Sequence, residues 1–356
     1  MTKSSIHYPL FDYLRILLAV GVFVEHSQVA PALPPYFGDA CVQVFFALSG
    51  FLIGSILLNT AVGDLPRFYF KRVVRIWVPY LLAVAALMTL CLLLQDLGDP
   101  LLWQTAFYNV TFVVNLFDLP RELQFHAPMW GSGGHFWSIC VEEQFYLLAP
   151  VVVVLLPRWR VSLLVAIALL NLLVPHSFAA ISLGVLLAKA TSRRALRAGE
   201  QLLFAGIFLV TAVVIFREWV RYETAVPVLA VSLVAAASQR GVPSQLGAIL
   251  GGMSYPFYLN HWIGLFLRER VHESLNLDFL VATGAALVLA LALAAAHYLL
   301  IDRTILAARD RWYTALRGKV AWATGFALVA VGIVGGFYFK AWNRAHELQA
   351  RVEVRR

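Results

Sequence analysis

Four stretches of an otherwise apolar chain carry side chains able to move a proton or hold an anion. The first is Phe11-Asp-Tyr-Leu-Arg-Ile-Leu-Leu-Ala-Val-Gly-Val-Phe-Val-Glu-His26, in which ten residues separate Arg15 from His26. Eleven steps of about 100° return to within about 20° of the starting direction. A helix therefore puts both side chains on one face, about 16 Å apart along its axis, with Asp12 on the same side. Ionisable groups inside a membrane span are costly and by default functional, although Asp12 and Arg15 as a local pair and His26 as an interfacial side chain would also fit. The second stretch is His135-Phe-Trp-Ser-Ile-Cys-Val-Glu142-Glu143-Gln144-Phe-Tyr146. His135 and Glu142, seven apart, share a helix face, and Glu143 points elsewhere. An interfacial belt containing Trp130 and Trp137 accounts for the aromatics here but poorly for two adjacent acids. In Phe68-Tyr-Phe-Lys71-Arg72-Val-Val-Arg75-Ile-Trp-Val-Pro79, Arg72 and Arg75 lie on one helix side, where guanidinium groups suit a phosphate. Simple anchoring of a basic cytoplasmic loop is the alternative. The fourth stretch, Ser254-Tyr-Pro-Phe-Tyr-Leu-Asn-His261, holds a mid-span histidine that is either a cavity residue or a core histidine satisfied by a neighbour.

The elements that must position these groups are membrane helices. Of 356 residues, 61% are hydrophobic and 13% charged, and the mean hydropathy is +0.76. Soluble domains are nearer 45–50% apolar and about 25% charged, so the chain belongs in a bilayer. Apolar runs fall at 11–30, 40–58, 78–95, 103–117, 138–156, 161–174, 177–190, 201–216, 225–239, 246–267, 279–300 and 320–340. The run 103–117 is short and carries Gln104, Asn109 and Asn115, so it is read as interfacial or re-entrant. With the N-terminus in the cytoplasm and this run not crossing, Arg67, Lys71, Arg72, Arg75, Arg158, Arg160, Arg193, Arg194 and Arg197 all fall in cytoplasmic loops. The positive-inside rule therefore favours a cytoplasmic N-terminus and eleven crossings. The fold expected is an all-α polytopic membrane bundle of about ten core transmembrane helices plus one additional C-terminal helix. Its expected divisions are a membrane domain at 8–303, a basic cytoplasmic linker at 304–319, an additional span at 320–340 and a polar tail at 341–356. The first span lacks a small-residue cleavage site and is expected to be retained. Cys41, Cys91 and Cys140 form no paired framework and are expected to be free and buried. A net charge of +8 without a basic tract of interleaved aromatics argues against nucleic acid as a partner.

Five segments, taken together and in order, resemble the acyltransferase-3 family of membrane acyltransferases: Arg15-(ten residues)-His26, Phe45-Phe-Ala-Leu-Ser-Gly-Phe51, Arg72-x-x-Arg75-Ile-x-x-Pro79, Phe136-Trp-Ser-Ile-Cys-Val-Glu-Glu-Gln-Phe-Tyr146 and Ser254-Tyr-Pro-Phe-Tyr-Leu-Asn-His261. The resemblance implies transfer of an acyl group, usually acetyl, from cytoplasmic acyl-CoA to a hydroxyl of an extracytoplasmic glycan or lipid-linked acceptor, in a bacterial inner (plasma) membrane. Lys71 stands where an arginine is common in the family. No hydrolase-like domain follows the last apolar run, so the chain is expected to complete its transfer alone or to hand the acyl group to a separate protein.

The mechanism expected from these residues puts the coenzyme phosphates on Arg72 and Arg75, with Lys71 a further candidate, its pantetheine arm past Arg15 and its thioester at His26. His26 serves as general base or is transiently acylated. Glu142 orients and stabilises its imidazole, with His135 and Glu143 as further catalytic candidates, and His261 lines the cavity that holds the donor. A transporter or flippase of a lipid-linked or acyl substrate is the rival reading, against which the lack of internal repeats counts. No metal is expected, because His26, His135 and Glu142 lack compact ligand spacing.

Overall fold

A computed structural model describes residues 7–34, 36–94, 100–117, 133–173 and 178–353. It is 83% helix, with no strand among the described residues, so the all-α reading holds. The principal helices are α1 (Pro9–Ser27), α2 (Phe37–Leu57), α3 (Leu65–Leu94), α4 (Pro100–Val110), α5 (Trp137–Pro150), α6 (Arg160–Leu173), α7 (Phe178–Ala190), α8 (Ala198–Phe216), α9 (Tyr222–Ala236), α10 (Gln245–Leu275), α11 (Phe279–His297), α12 (Arg303–Trp312) and α13 (Ala315–Glu353). Among the described residues, six helical stretches are long and apolar enough to cross a membrane: Phe37–Leu57, Val62–Leu93, Gly134–Leu155, Ala198–Phe216, Phe279–Trp312 and Ala315–Ala345. That is fewer than the ten plus one read from hydropathy. Three further apolar helices, Arg160–Leu170, Phe178–Ala190 and Tyr222–Ala236, are short. Neither α1 nor α10 is among the six, and each carries charged and imidazole side chains that lower its apolarity. Helix α4 has 11 residues and so reaches about 16 Å, roughly half the hydrocarbon thickness.

Chain contacts divide the protein into two compact units, Met1–Leu65 with Leu148–Ala308, and Pro66–Leu147 with Arg309–Arg356. In the first unit α1 packs on α2 and α10, α2 on α7 and α9, and α10 on α11. Helices in lipid gain little from hiding apolar surface and associate through close backbone approach at small residues. Gly50 of α2 faces the backbone carbonyl of Ile181, and Gly184 of α7 faces that of Ala47, so neither position has room for a Cβ. On α10, Gly264 faces the carbonyl of Ala286, one of the buried alanines Ala282, Ala286, Ala290 and Ala294 that repeat every fourth residue along α11. Gly247 and Gly251 of α10 lie against Asp12 of α1.

The second unit is built around α3 and α13. Helix α3 has 30 residues, about 45 Å, which exceeds the hydrocarbon thickness and lets its first turns, with Arg67, Lys71, Arg72 and Arg75, extend beyond it. On α13, Gly318, Gly325 and Gly332 recur every seven residues and face Pro66, Leu147 and the pair Thr111 and Val113. Phe339 packs on Phe107 and Tyr108, and Phe337 on Phe117. The helix runs past residue 340 to Glu353, and Asn343 donates to the Gln104 side chain at 3.4 Å. Helix α12 (Arg303–Trp312) takes up the first part of the stretch 304–319 expected as linker, and Cys41, Cys91 and Cys140 are free and buried as read from the sequence.

Gly184→Ala should push α7 off α2 and lower stability by about 1–3 kcal/mol through overpacking. Thermal unfolding in detergent should show a lower midpoint than the wild type. Gly206→Ala on α8, where nothing lies within 4 Å of the added carbon, should leave the midpoint unchanged or raise it.

Candidate active site

In the first unit, the last turn of α1 carries His26 and ends where Gln28 turns left-handed (φ 55°), its N–H donating to the Glu25 carbonyl at 3.1 Å. The Glu25 carboxylate in turn accepts the N–H of Gly38 at the start of α2. This tethers the residue before His26 to a second helix. His26 is exposed, whereas His261 on α10 is fully buried, among the rings of Phe23, Phe257 and Tyr258. The two imidazoles meet, His26 Nδ1 lying 3.0 Å from His261 Nε2, with their rings inclined by 16°. On its other side, His261 Nδ1 is 2.7 Å from the carbonyl oxygen of Tyr258.

These contacts determine where the protons sit in the neutral pair. A carbonyl only accepts, so His261 must carry its proton on Nδ1 and present a lone pair at Nε2. That lone pair accepts the hydrogen bond donated by His26 Nδ1–H, which leaves the unprotonated nitrogen of His26 at Nε2. A main-chain carbonyl thus selects, through a buried histidine, the tautomer of an accessible one. The arrangement is that of a base with an orienting partner, the partner being imidazole where a carboxylate is more usual.

Arg15 is half-buried on α1, eleven residues before His26, and Asp12 faces His7 at 3.0 Å (Oδ2 to Nε2). Further along α10, Asn260 donates its amide to His297 Nδ1 at 3.0 Å and to the Pro256 carbonyl at 2.8 Å.

The second unit holds the paired acids and the basic turn of α3. Glu143 is buried, 1% exposed, and its electrostatic neighbours are the Trp77 indole, Glu142 and Arg72. Glu142 is half-buried on α5. Gln144 and Asn115 exchange amide hydrogen bonds at 2.8 and 3.1 Å, and Gln144 also donates to the Phe112 carbonyl at 2.8 Å. Because Phe112 sits at φ 58°, rare for a bulky residue, this amide pair holds a strained turn after α4. His135 is buried, 4.5 Å from the Phe136 ring, and its carbonyl accepts the Ser138 hydroxyl at 3.1 Å. Of the tryptophans in the belt reading, Trp130 lies outside the described residues, and Trp137 is half-buried at the start of α5.

On α3, Lys71 and Arg67 both pair with Asp310, at 2.8 and 3.0 Å. Arg72 lies 5.7 Å from the centre of the Phe68 ring, and Arg75 is within electrostatic reach of Arg309. The two arginines three apart thus keep different company.

A family profile described as an acyltransferase domain matches residues 8–299. The chain belongs to the acyltransferase-3 family. This acyltransferase-3 chain is similar to the O-acetyltransferase OatA of Staphylococcus aureus strain NCTC 8325 / PS 47 and to OatA of strain COL. In each case the identity is 27% over 179 residues, which cover 48% of this chain and 29% of the relative. The chain thus matches less than a third of the length of these relatives. No solved structure matches it.

The acyltransferase-3 motifs fall in both units, with His26 and His261 in contact in one and Glu143 and Arg72 neighbours in the other. Three partners were given no role in the reading of the sequence: the Tyr258 carbonyl and Trp77, which lie inside quoted stretches, and Asp310, which lies outside them. A signal for the first was present, since Tyr258 and His261 are three apart, within reach on a helix. Nothing local could pair Lys71 with a residue 239 positions later.

Nitrogen-15 spectra of histidine-labelled protein should resolve Nδ1 of neutral His26 as the protonated nitrogen. His261→Phe, which keeps an aromatic ring and removes the acceptor, should return His26 to the mixed tautomers of an unconstrained imidazole.

Proposed function

We propose that this chain is a membrane O-acetyltransferase that uses the His26–His261 pair for proton transfer. The observation that carries the reading is the relay from the Tyr258 carbonyl through His261 to His26, joined to membership of an acyltransferase family. The donor is acetyl-CoA supplied from the cytoplasm, and the acceptor is a hydroxyl of an extracytoplasmic glycan. Similarity to proteins named O-acetyltransferases supports acetyl as the group transferred. The host membrane is the bacterial inner membrane, with the N-terminus in the cytoplasm and about ten core crossings plus α13.

In the reaction, His26 Nε2 takes the proton of the acceptor hydroxyl as its oxygen attacks the thioester carbonyl. The C–S bond breaks, and the proton passes to the departing sulfur, so no net proton is lost. During the step His26 is cationic and donates from Nδ1 to His261, whose own Nδ1 proton stays hydrogen-bonded to the Tyr258 carbonyl. Of the adjacent acids, Glu143 is buried with Trp77 and Arg72 as electrostatic neighbours, and Glu142, half-buried, is assigned as a further catalytic residue. Arg75 and Arg72 supply affinity for the donor phosphates, and Arg15 contacts its arm. Lys71 contributes less than the resemblance implies, because Asp310 already neutralises it.

His26→Ala should lower release of free thiol from acetyl-CoA by ~10²–10⁴-fold in purified protein while leaving donor binding intact. A loss below tenfold would sink the assignment. Arg75→Ala should weaken acetyl-CoA binding by roughly 10–150-fold, the range for one charge-assisted contact of about 1.5–3 kcal/mol. If Arg75 holds the 3′-phosphate, the mutation should cost little with 3′-dephospho-acetyl-CoA, since the two losses remove one contact. Equal ratios for both donors would make Arg75 a topology anchor instead.

A further inference from the structure

His26 stands on the last turn of a helix, where the backbone carbonyls have run out of intrahelical partners. What fixes that turn fixes the imidazole. Ser27, the next residue, is fully buried, and a buried carbonyl left without a donor is costly. Its donor comes from α10: Arg268 Nη1 donates to the Ser27 carbonyl at 2.5 Å. Arg268 is 8% exposed, its guanidinium lies 4.9 Å from the centre of the Phe279 ring, and Nη2 pairs with the Glu269 carboxylate. A cation at a helix C-terminus also answers the partial negative charge that gathers there.

The sequence spacing gives this contact its meaning. Arg268 follows His261 by seven residues, two turns of α10, so both side chains project from nearly the same face of one helix toward the end of α1. Helix α10 therefore grips α1 twice, at the His26 ring through His261 and at the adjoining peptide through Arg268. Nothing in the quoted family segments extends to Arg268.

We propose that Arg268 is a positioning residue for the reaction, holding the C-terminal turn of α1 so that His26 keeps its bond to His261. The proposal rests on the acid–base reading of His26. Arg268 acts through His26 and touches no reacting atom. Glu269, exposed at its own carboxylate, and Phe279 set the plane of the guanidinium.

The test compares Arg268→Met, which keeps length and apolar volume, with Arg268→Lys, which keeps a cationic donor, by thiol release from acetyl-CoA in purified full-length protein. Arg268→Met should lower kcat by ~10–100-fold with KM for acetyl-CoA nearly unchanged, and the thermal midpoint should fall by only a few degrees for the lost carbonyl donor. Arg268→Lys should recover most of the loss. In a His26→Ala background, Arg268→Met should cost less than threefold more, because the group it positions is gone. Wild-type kcat in Arg268→Met, full additivity with His26→Ala, or a loss confined to the folding midpoint and to KM would each overturn the proposal. A His26→Ala protein with wild-type turnover would instead remove the acid–base reading itself, and the positioning role with it.

Discussion

A main-chain carbonyl accepting a hydrogen bond from a buried histidine is the constraint on which the candidate chemistry depends. The Tyr258 carbonyl has no proton to give, so the direction of every hydrogen bond beyond it is settled in turn. Had His261 faced a hydroxyl, either tautomer would have been allowed and His26 would have had no defined basic nitrogen. Burial among Phe23, Phe257 and Tyr258 strengthens the effect, because a polar group without water has few alternative partners. Exposure is divided accordingly, with the His261 ring enclosed and His26 exposed.

Two adjacent acids in one span present the opposite problem, since burying both as charges would be expensive. Their surroundings separate them. Glu143 is buried, with Trp77 and Arg72 as electrostatic neighbours, while Glu142 keeps part of its surface accessible. The next residue, Gln144, has a different task, pairing with Asn115 and Phe112 to hold the turn after α4. One short motif thus contains a packing residue, an electrostatic partner and a candidate reactant. Along α3 the basic residues divide in the same way, Lys71 and Arg67 being tied to Asp310 and Arg72 and Arg75 facing other neighbours.

Close helix contact makes these arrangements rigid enough to matter. Gly50 and Gly184 bring the backbones of α2 and α7 together, and Gly318, Gly325 and Gly332 seat α13 along the second unit. Helix α13 is therefore a structural part of that unit, although its position after a long basic stretch suggests an appendage. Its glycines repeat every seven residues, a spacing the four-residue Gly332-Ile-Val-Gly-Gly336 pattern obscures.

By itself the sequence determined the class of molecule, the helical character of nearly every element, the free state of the cysteines and the short list of reactive side chains. Those properties follow from composition and from local periodicity, which need no knowledge of distant neighbours. It also placed Arg15 and His26 on one face and Arg72 beside Arg75. It could not say that His261 would be the partner of His26, that Glu143 would neighbour Arg72, that Arg268 would hold the Ser27 carbonyl or that Lys71 would be neutralised by Asp310. Three of those four pairings are contacts between residues more than 200 positions apart, and the fourth is an electrostatic neighbourhood of two residues 71 positions apart. Such pairs leave no periodic trace in a single chain. Only the packing of one helix on another decides them, because a hydrogen bond or an ion pair needs its atoms within about 3 Å, and helix periodicity fixes directions along one element alone.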